Sequence, residues 1–189
     1  MTSITDTDDL FFNGFGLDRQ RLAGVVSEAL ANADDGELFL EYRQSESLVL
    51  DDGRLKSASF DTSQGFGLRA VAGEAIGLAH ATDLSEEAIR RAGEAVAGIC
   101  GRGGTFAPPP PGTNRSLYRA DNPLALVPFA AKTQLLTDID AYARGKDERV
   151  CQVIASLAGE WQAVQVMRPG GERAADIRPL VRLNVTVVV

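Results

Sequence analysis

The chain has 189 residues, 44% of them hydrophobic and 24% charged, and a formal net charge of −7, the composition of a globular protein that buries a core. The acidic balance argues against a surface built for nucleic-acid phosphates, which needs clustered Lys and Arg. No stretch approaches the ~20 apolar residues of a membrane span, and the first eighteen residues carry Asp6, Asp8, Asp9 and Asp18 but no Lys or Arg, so they lack the basic start of a secretory signal.

Residues 1 to 16 are polar and acidic, then rich in Phe and Gly; Phe11, Phe12 and Phe15 predict a loose terminus with an aromatic anchor. Asp18 is placed to cap a helix whose apolar positions Leu22, Val25, Val26, Ala29 and Leu30 follow helical spacing. Gly36, after Asp34 and Asp35, fits the C-terminal glycine of that helix.

From Glu37 to Thr82 the pattern changes to strands. Leu38, Leu40, Tyr42, Leu48 and Leu50 fall on even positions, the period-two mark of a strand with one buried face. Asp51-Asp52-Gly53 is a tight-hairpin signal, because glycine takes positive φ without steric cost. The return strand runs from Arg54 to Val71, turns at Ala72-Gly73-Glu74 and continues along Ala75 to Ala81. Gly65 and Gly67 lie inside the long middle strand, where glycine predicts a bulge or a close backbone approach, with the bulge preferred.

Ser85 reads as the N-cap of a second helix, with Glu86 and Glu87 favoured by the helix dipole in its first turn and Ile89, Ala92, Val96 and Ile99 as its buried stripe. Gly101 to Pro123 holds four consecutive prolines, Pro108 to Pro111, among several glycines, and reads as an extended linker. Pro128 suits the first turn of a helix with Leu135, Leu136, Ile139 and Tyr142 on its apolar face. Strands are predicted at Arg149 to Leu157, Trp161 to Met167 and Ala174 to Val189, with a turn at Pro169-Gly170-Gly171.

The expected fold class is therefore α+β, with two lobes that each combine a helix and an antiparallel β-meander. The divisions are a domain at 1–101, a Pro/Gly-rich linker at 102–123, and the start of a second, incomplete domain at 124–189. The sequence stops at Val187-Val188-Val189 in mid-strand, and an unprotected apolar edge predicts the front part of a longer protein.

Candidate chemistry is sparse. His80 is the single histidine, and on a strand it reads as packed or surface-exposed. Cys100 and Cys151 are far apart, which predicts two buried free thiols and a cytoplasmic location. A zinc site from His80, Cys100 and Cys151 lacks any recognised ligand spacing. No Gly-x-Ser-x-Gly elbow supports a Ser-His-Asp triad, and Gly65-Phe66-Gly67 lacks the third glycine of a dinucleotide loop. Glu41, Glu46, Asp51, Asp52 and Asp61 scatter around the meander and read as a solvated strand face. No catalytic, cofactor-binding or metal residue is assigned, and an autonomous binding or adaptor module is the competing reading; a self-contained hydrolase or transferase has the least support.

Two longer stretches carry a family likeness: Ser47-Leu48-Val49-Leu50-Asp51-Asp52-Gly53-Arg54-Leu55-Lys56, and Gln64-Gly65-Phe66-Gly67-Leu68-Arg69-Ala70-Val71-Ala72-Gly73-Glu74. With Gly77-Leu78-Ala79 running to Leu84-Ser85, and with Ala174 to Leu183, the sequence resembles the TldD/PmbA family, on the TldD rather than the PmbA (TldE) branch. The resemblance implies a zinc metallopeptidase that cleaves unfolded or small peptides, paired with a TldE/PmbA-like paralogue or with itself. Relatives are often described as modulators of DNA gyrase, which fits this acidic chain poorly if it means DNA binding. The family's zinc is held by an HExxxH helix that this sequence lacks, so the resemblance implies zinc in a longer protein and none in this segment; the acidic charge and the lack of an apolar span predict no direct nucleic-acid or membrane partner.

Overall fold

A computed structural model describes residues 4–98 and 119–189. The linker expectation at 102–118, the Ile99 stripe position and Cys100 lie outside the described residues. Five α-helices and five strands follow in order: α1 (Ile4–Asp8, continuing as a π-helix over Asp9–Gly14), α2 (Arg19–Ala29), β1 (Asp35–Asp51), β2 (Arg54–Ala72), β3 (Ala75–Ala81), α3 (Glu86–Ala97), α4 (Pro123–Leu126), α5 (Phe129–Arg144), β4 (Gln152–Met167) and β5 (Arg173–Val188). The strands form one antiparallel sheet in the order β3-β2-β1-β4-β5, with short turns joining β1 to β2, β2 to β3 and β4 to β5, while β1 meets β4 across the intervening helices. The α+β class, and a last strand that reaches Val188, are as the sequence predicted.

The chain divides into two compact units. Unit 1 comprises residues 1–42, 63–119 and 163–177, and unit 2 comprises residues 43–62, 120–162 and 178–189. Strands β1, β2, β4 and β5 each contribute residues to both units.

In unit 1, Leu38, Leu40, Phe66, Leu68 and Ala70 are buried on one face of the sheet with Leu22 and Val26 of α2 and Ile89 and Val96 of α3. Asp18 accepts the Arg21 N–H at 2.9 Å and Ser85 accepts the Ala88 N–H at 3.2 Å, so both predicted caps are made. Gly93 lets the helices close up, since a Cβ there would lie 3.0 Å from the Ala29 methyl. The amino-terminal segment is helical rather than loose. Phe11 is fully buried, Phe11 and Phe15 stack with ring centroids 6.4 Å apart, and Phe15 reaches Tyr42 at 5.8 Å.

In unit 2, Leu48 and Leu50 of β1 and Ala155 of β4 are buried with Leu136 of α5. The face that α5 buries matches the predicted one only in part: Leu136 is buried and Ile139 packs beside it, whereas Leu135 is 45% and Tyr142 67% exposed. Lys132, Leu136 and Asp140, spaced four apart, are the buried positions, with Lys132 paired to Glu46 and Asp140 to Arg144.

Gly36 is not the cap of α2, which ends at Ala29 with Leu30 as its C-cap; it lies in β1, where a Cβ would run into the Arg69 carbonyl oxygen. The two strands expected at 149–157 and 161–167 are one, because β4 is continuous from Gln152 to Met167; within it a Cβ at Gly159 would run into the Leu124 side chain. Pairing between β2 and β3 is unbroken from Phe66 opposite Ala81 to Ala72 opposite Ala75, so Gly67 is no bulge on that side. Neither Gly65 nor Gly67 has positive φ, and a Cβ at Gly65 would lie 2.7 Å from the Ala81 carbonyl oxygen, a close backbone approach. Positive φ is used at the hairpin, Asp52 at 54° and Gly53 at 74°, the pattern of a two-residue type I′ turn. Among the described residues no helix is long and apolar enough to cross a membrane.

Candidate functional site

Unit 2 holds an apolar cavity of about 280 Å³ under α4 and the start of α5, lined by Leu48, Leu124, Val127, Leu135, Leu157 and Val181 among others. Local sequence builds it in three steps. Asn122 caps α4 by accepting the Leu124 N–H at 3.0 Å and donates from Nδ2 to Gln44 Oε1 at 2.7 Å. Pro123 follows in the first turn of α4, and Pro128 sits at the N-cap of α5, so the chain turns between two short-range stops. Gly159 gives the Leu124 side chain room against β4.

The cavity's one charged pair is at its wall. The Lys132 ammonium is bonded to the Glu46 carboxylate of β1 and donates to the Leu124 carbonyl at 2.7 Å. With side-chain exposures of 8% and 14% the pair is well out of water, so each ion needs the other. The pair is neutral as a unit, and the remaining lining is aliphatic, so the cavity selects apolar groups.

The cavity lies beside an edge. β5 is terminal in the sheet order and every residue from Val181 to Val189 is exposed, with Val181, Leu183, Val185 and Val187 alternating along it. An edge strand with free backbone donors and acceptors can pair with an extended chain whatever its sequence.

The residues singled out from sequence do not converge on a reaction centre. Of the acidic scatter, Glu46 pairs with Lys132, Asp51 accepts from Lys56 Nζ and Gln152 Nε2 at 2.8 Å each, and Asp52 pairs with Arg144. Hydrogen bonds from Lys56 and then Gln152 hold the Asp51 carboxyl below the usual value. These carboxylates are therefore engaged, not a solvated face; Asp61 is exposed. His80 is exposed on β3 in unit 1. Cys151 in unit 2 is a free thiol, but exposed rather than buried, next to the end of β5, where its Sγ lies 3.4 Å from the Val188 carbonyl. Among the described residues no three His, Cys, Asp or Glu side chains are grouped to hold a metal ion. Sequence reasoning missed Lys132, whose one signal is its four-residue spacing from the buried Leu136.

Unit 1 carries a second ionic cluster. Arg69 donates to Glu37 through Nε at 2.7 Å and Nη2 at 2.8 Å, and to Asp35 through Nη2 at 2.7 Å, while Arg168 reaches the other Asp35 oxygen at 3.0 Å. Burial pushes the Asp35 carboxyl up, but hydrogen bonds from Arg69 and the Gly36 N–H, with the charges of Arg69 and Arg168, outweigh it and hold the group below its ordinary value. This cluster ties β1 and β2 to the β4–β5 turn.

Comparison with known proteins assigns the fold and the family. Residues 36–100 match PmbA/TldA metallopeptidase domain 1, and residues 122–189 match the PmbA/TldA metallopeptidase central domain. The chain belongs to the PmbA/TldD metallopeptidase family. Its relatives include the metalloprotease TldD homologue of Haemophilus influenzae, 39% identical over 162 residues, covering 84% of this chain and 34% of that protein. The TldD homologue of Buchnera aphidicola subsp. Schizaphis graminum is 34% identical over 160 residues, covering 84% and 33%. The chain thus spans about a third of the length of these relatives. Among solved structures, TldE from Thermococcus kodakarensis superposes with a TM-score of 0.55 at 15% identity, covering 89% of this chain and 40% of that one. A Bacteroides thetaiotaomicron protein described as a modulator of DNA gyrase superposes at 0.67 with 18% identity, over 89% and 40%. At these identities the structures show that PmbA/TldD proteins share this fold.

Proposed function

We propose that this segment is the non-catalytic front portion of a TldD-type zinc metallopeptidase that cleaves unfolded or small peptides, and that it contributes substrate access and subunit contacts. The observation that carries the reading is the apolar cavity of about 280 Å³ whose wall includes Val181 of the edge strand β5. An extended peptide paired on that edge gains backbone hydrogen bonds regardless of sequence, and an apolar side chain from it fills the cavity. The row Val181, Leu183, Val185 and Val187 offers a further contact surface, for a TldE/PmbA-like paralogue or a second copy.

Zinc hydrolysis needs about three protein ligands, an open coordination position and a nearby base. One histidine in 189 residues does not supply a two-histidine helix motif, so the zinc and the hydrolytic step are assigned to a longer protein that carries this segment. The test is a paired assay on an unstructured peptide, with zinc measured on residues 1–189 and on the longer protein with its paralogue. Chelator-sensitive cleavage by the longer protein alone is expected; the same cleavage by residues 1–189 overturns the reading. The autonomous-adaptor alternative predicts peptide binding with no cleavage in either preparation.

A further inference from the structure

The outer face of the sheet in unit 1 has a notch of about 380 Å³, lined by residues that include Phe39, Gln64, Gly67, His80 and Thr82. Its geometry follows from alternation along three adjacent strands. Phe39 lies between buried Leu38 and Leu40 on β1, and Gly67 lies between buried Phe66 and Leu68 on β2, so both face away from the core. His80 on β3 is the register partner of Gly67. Gly67 is thus the floor, with Phe39 on one flanking strand and His80 on the other.

The floor is open. An aromatic side chain often folds over a strand glycine to stabilise it, but here nothing lies within 4 Å of the position a Gly67 Cβ would occupy. The two flanking strands are about 10 Å apart, twice the strand spacing, which leaves width for one planar ring between two side chains. Of the polar side chains at the rim, Glu41 has a partner, whereas Gln64, His80, Ser63 and Thr82 make no hydrogen bond to any described residue; Arg69 on the same face is engaged by Glu37 and Asp35. Aromatic walls, a peptide floor and unengaged rim groups that can donate or accept match a flat ring with a polar edge.

We propose that the notch over Gly67 is a binding site for a donor-bearing aromatic side chain, tryptophan or tyrosine, presented by an extended peptide. The occupant rests on the peptide reading above, but the site and its test do not depend on cleavage. The ring stacks on the Gly67 backbone between Phe39 and His80, and its N–H or O–H donates to an oxygen at the rim, the Gln64 amide being one acceptor.

The test is a titration of the 189-residue chain, labelled with 15N, with the blocked tripeptides acetyl-Gly-Trp-Gly-amide and acetyl-Gly-Leu-Gly-amide. The Trp peptide is expected to shift the Gly65, Gly67 and His80 amides in a saturable way, and the Leu peptide to leave them unmoved. Gly67→Val fills the floor and is expected to weaken Trp-peptide binding by roughly two- to tenfold, the scale of one lost aromatic contact. That variant should keep its melting temperature, because the added methyls enter open space on a strand; if it does not, Gly67→Ala carries the same comparison. Absence of shifts at Gly67, an equal response to the Leu peptide, or undiminished binding by the filled variant each overturns the proposal. Loss of hydrolysis in the longer protein with the titration intact counts against the peptidase reading and leaves this site standing.

Discussion

Lys132 of α5 and Glu46 of β1 form an ion pair inside unit 2, with the Leu124 carbonyl as a third partner of the ammonium at 2.7 Å. Taking one member away strands the other charge out of water. Lys132→Met is therefore expected to destabilise the protein by about 3–5 kcal/mol, and Lys132→Met with Glu46→Leu to recover most of that loss, because a matched apolar pair costs little in place of a buried ion pair. Denaturant unfolding of the two variants checks this. Additive losses in the double variant would show that the two charges act separately.

A pH dependence follows from Asp35. Its carboxyl titrates below the usual value in the folded chain, so its contribution is present above the unfolded carboxylate pKa of about 3.9 and is lost as the pH falls through the lowered folded value. The melting temperature of the parent chain is expected to fall more steeply from about pH 5 to about pH 3 than that of Asp35→Asn, whose side chain cannot titrate. Parallel acid limbs would remove Asp35 from this role. Since Arg69 is 37% exposed, solvent screens the pair and the difference is expected to be small.

Two glycines on neighbouring stretches of β2 should behave oppositely. Gly65→Ala places a methyl against the Ala81 carbonyl, which is backbone of the paired strand and cannot step aside, whereas a methyl at Gly67 meets nothing. Gly65→Ala is expected to cost about 1–3 kcal/mol, the range of an overpacked site, and Gly67→Ala to be near neutral. Thermal melts of the pair decide it, and equal losses would contradict the geometry.

Gly159 offers a related test with a different partner. Its Cβ would meet a side chain rather than backbone, the end of Leu124. Gly159→Ala is expected to destabilise, and Leu124→Ala in the same chain to relieve part of the strain. A double-mutant cycle with no coupling would place the glycine's role elsewhere.

These glycines also mark where the sequence stops being legible. The meander from β1 to β3 could be read from period-two leucines and the Asp52-Gly53 turn, because both signals are local. Gly36, Gly65 and Gly159 are glycines for the sake of atoms on distant segments, the Arg69 and Ala81 carbonyls and the Leu124 side chain, so a local reading made Gly36 a cap, preferred a bulge at Gly65 and gave Gly159 no role. The same holds for α5. Of its predicted apolar face, Leu136 and Ile139 pack inward but Leu135 and Tyr142 are exposed, and Lys132 and Asp140 turn inward instead, where Glu46 and Arg144 pair with them. The family likeness was legible because it rests on strings of residues; the cavity at Leu124 and the notch at Gly67 were not, since each is assembled from several elements.

On the proposed reading, residues 1–189 handle the peptide while the zinc chemistry resides elsewhere in a longer protein. Steady-state kinetics of that protein carrying Ala131→Phe, which puts a ring at the lining of the unit 2 cavity, tests it most directly. In that variant kcat/KM for an unfolded peptide with apolar side chains is expected to fall by roughly tenfold or more, the scale of one excluded apolar side chain, while bound zinc per chain matches the parent. Unchanged kcat/KM in the filled variant, with its fold and zinc intact, would contradict it.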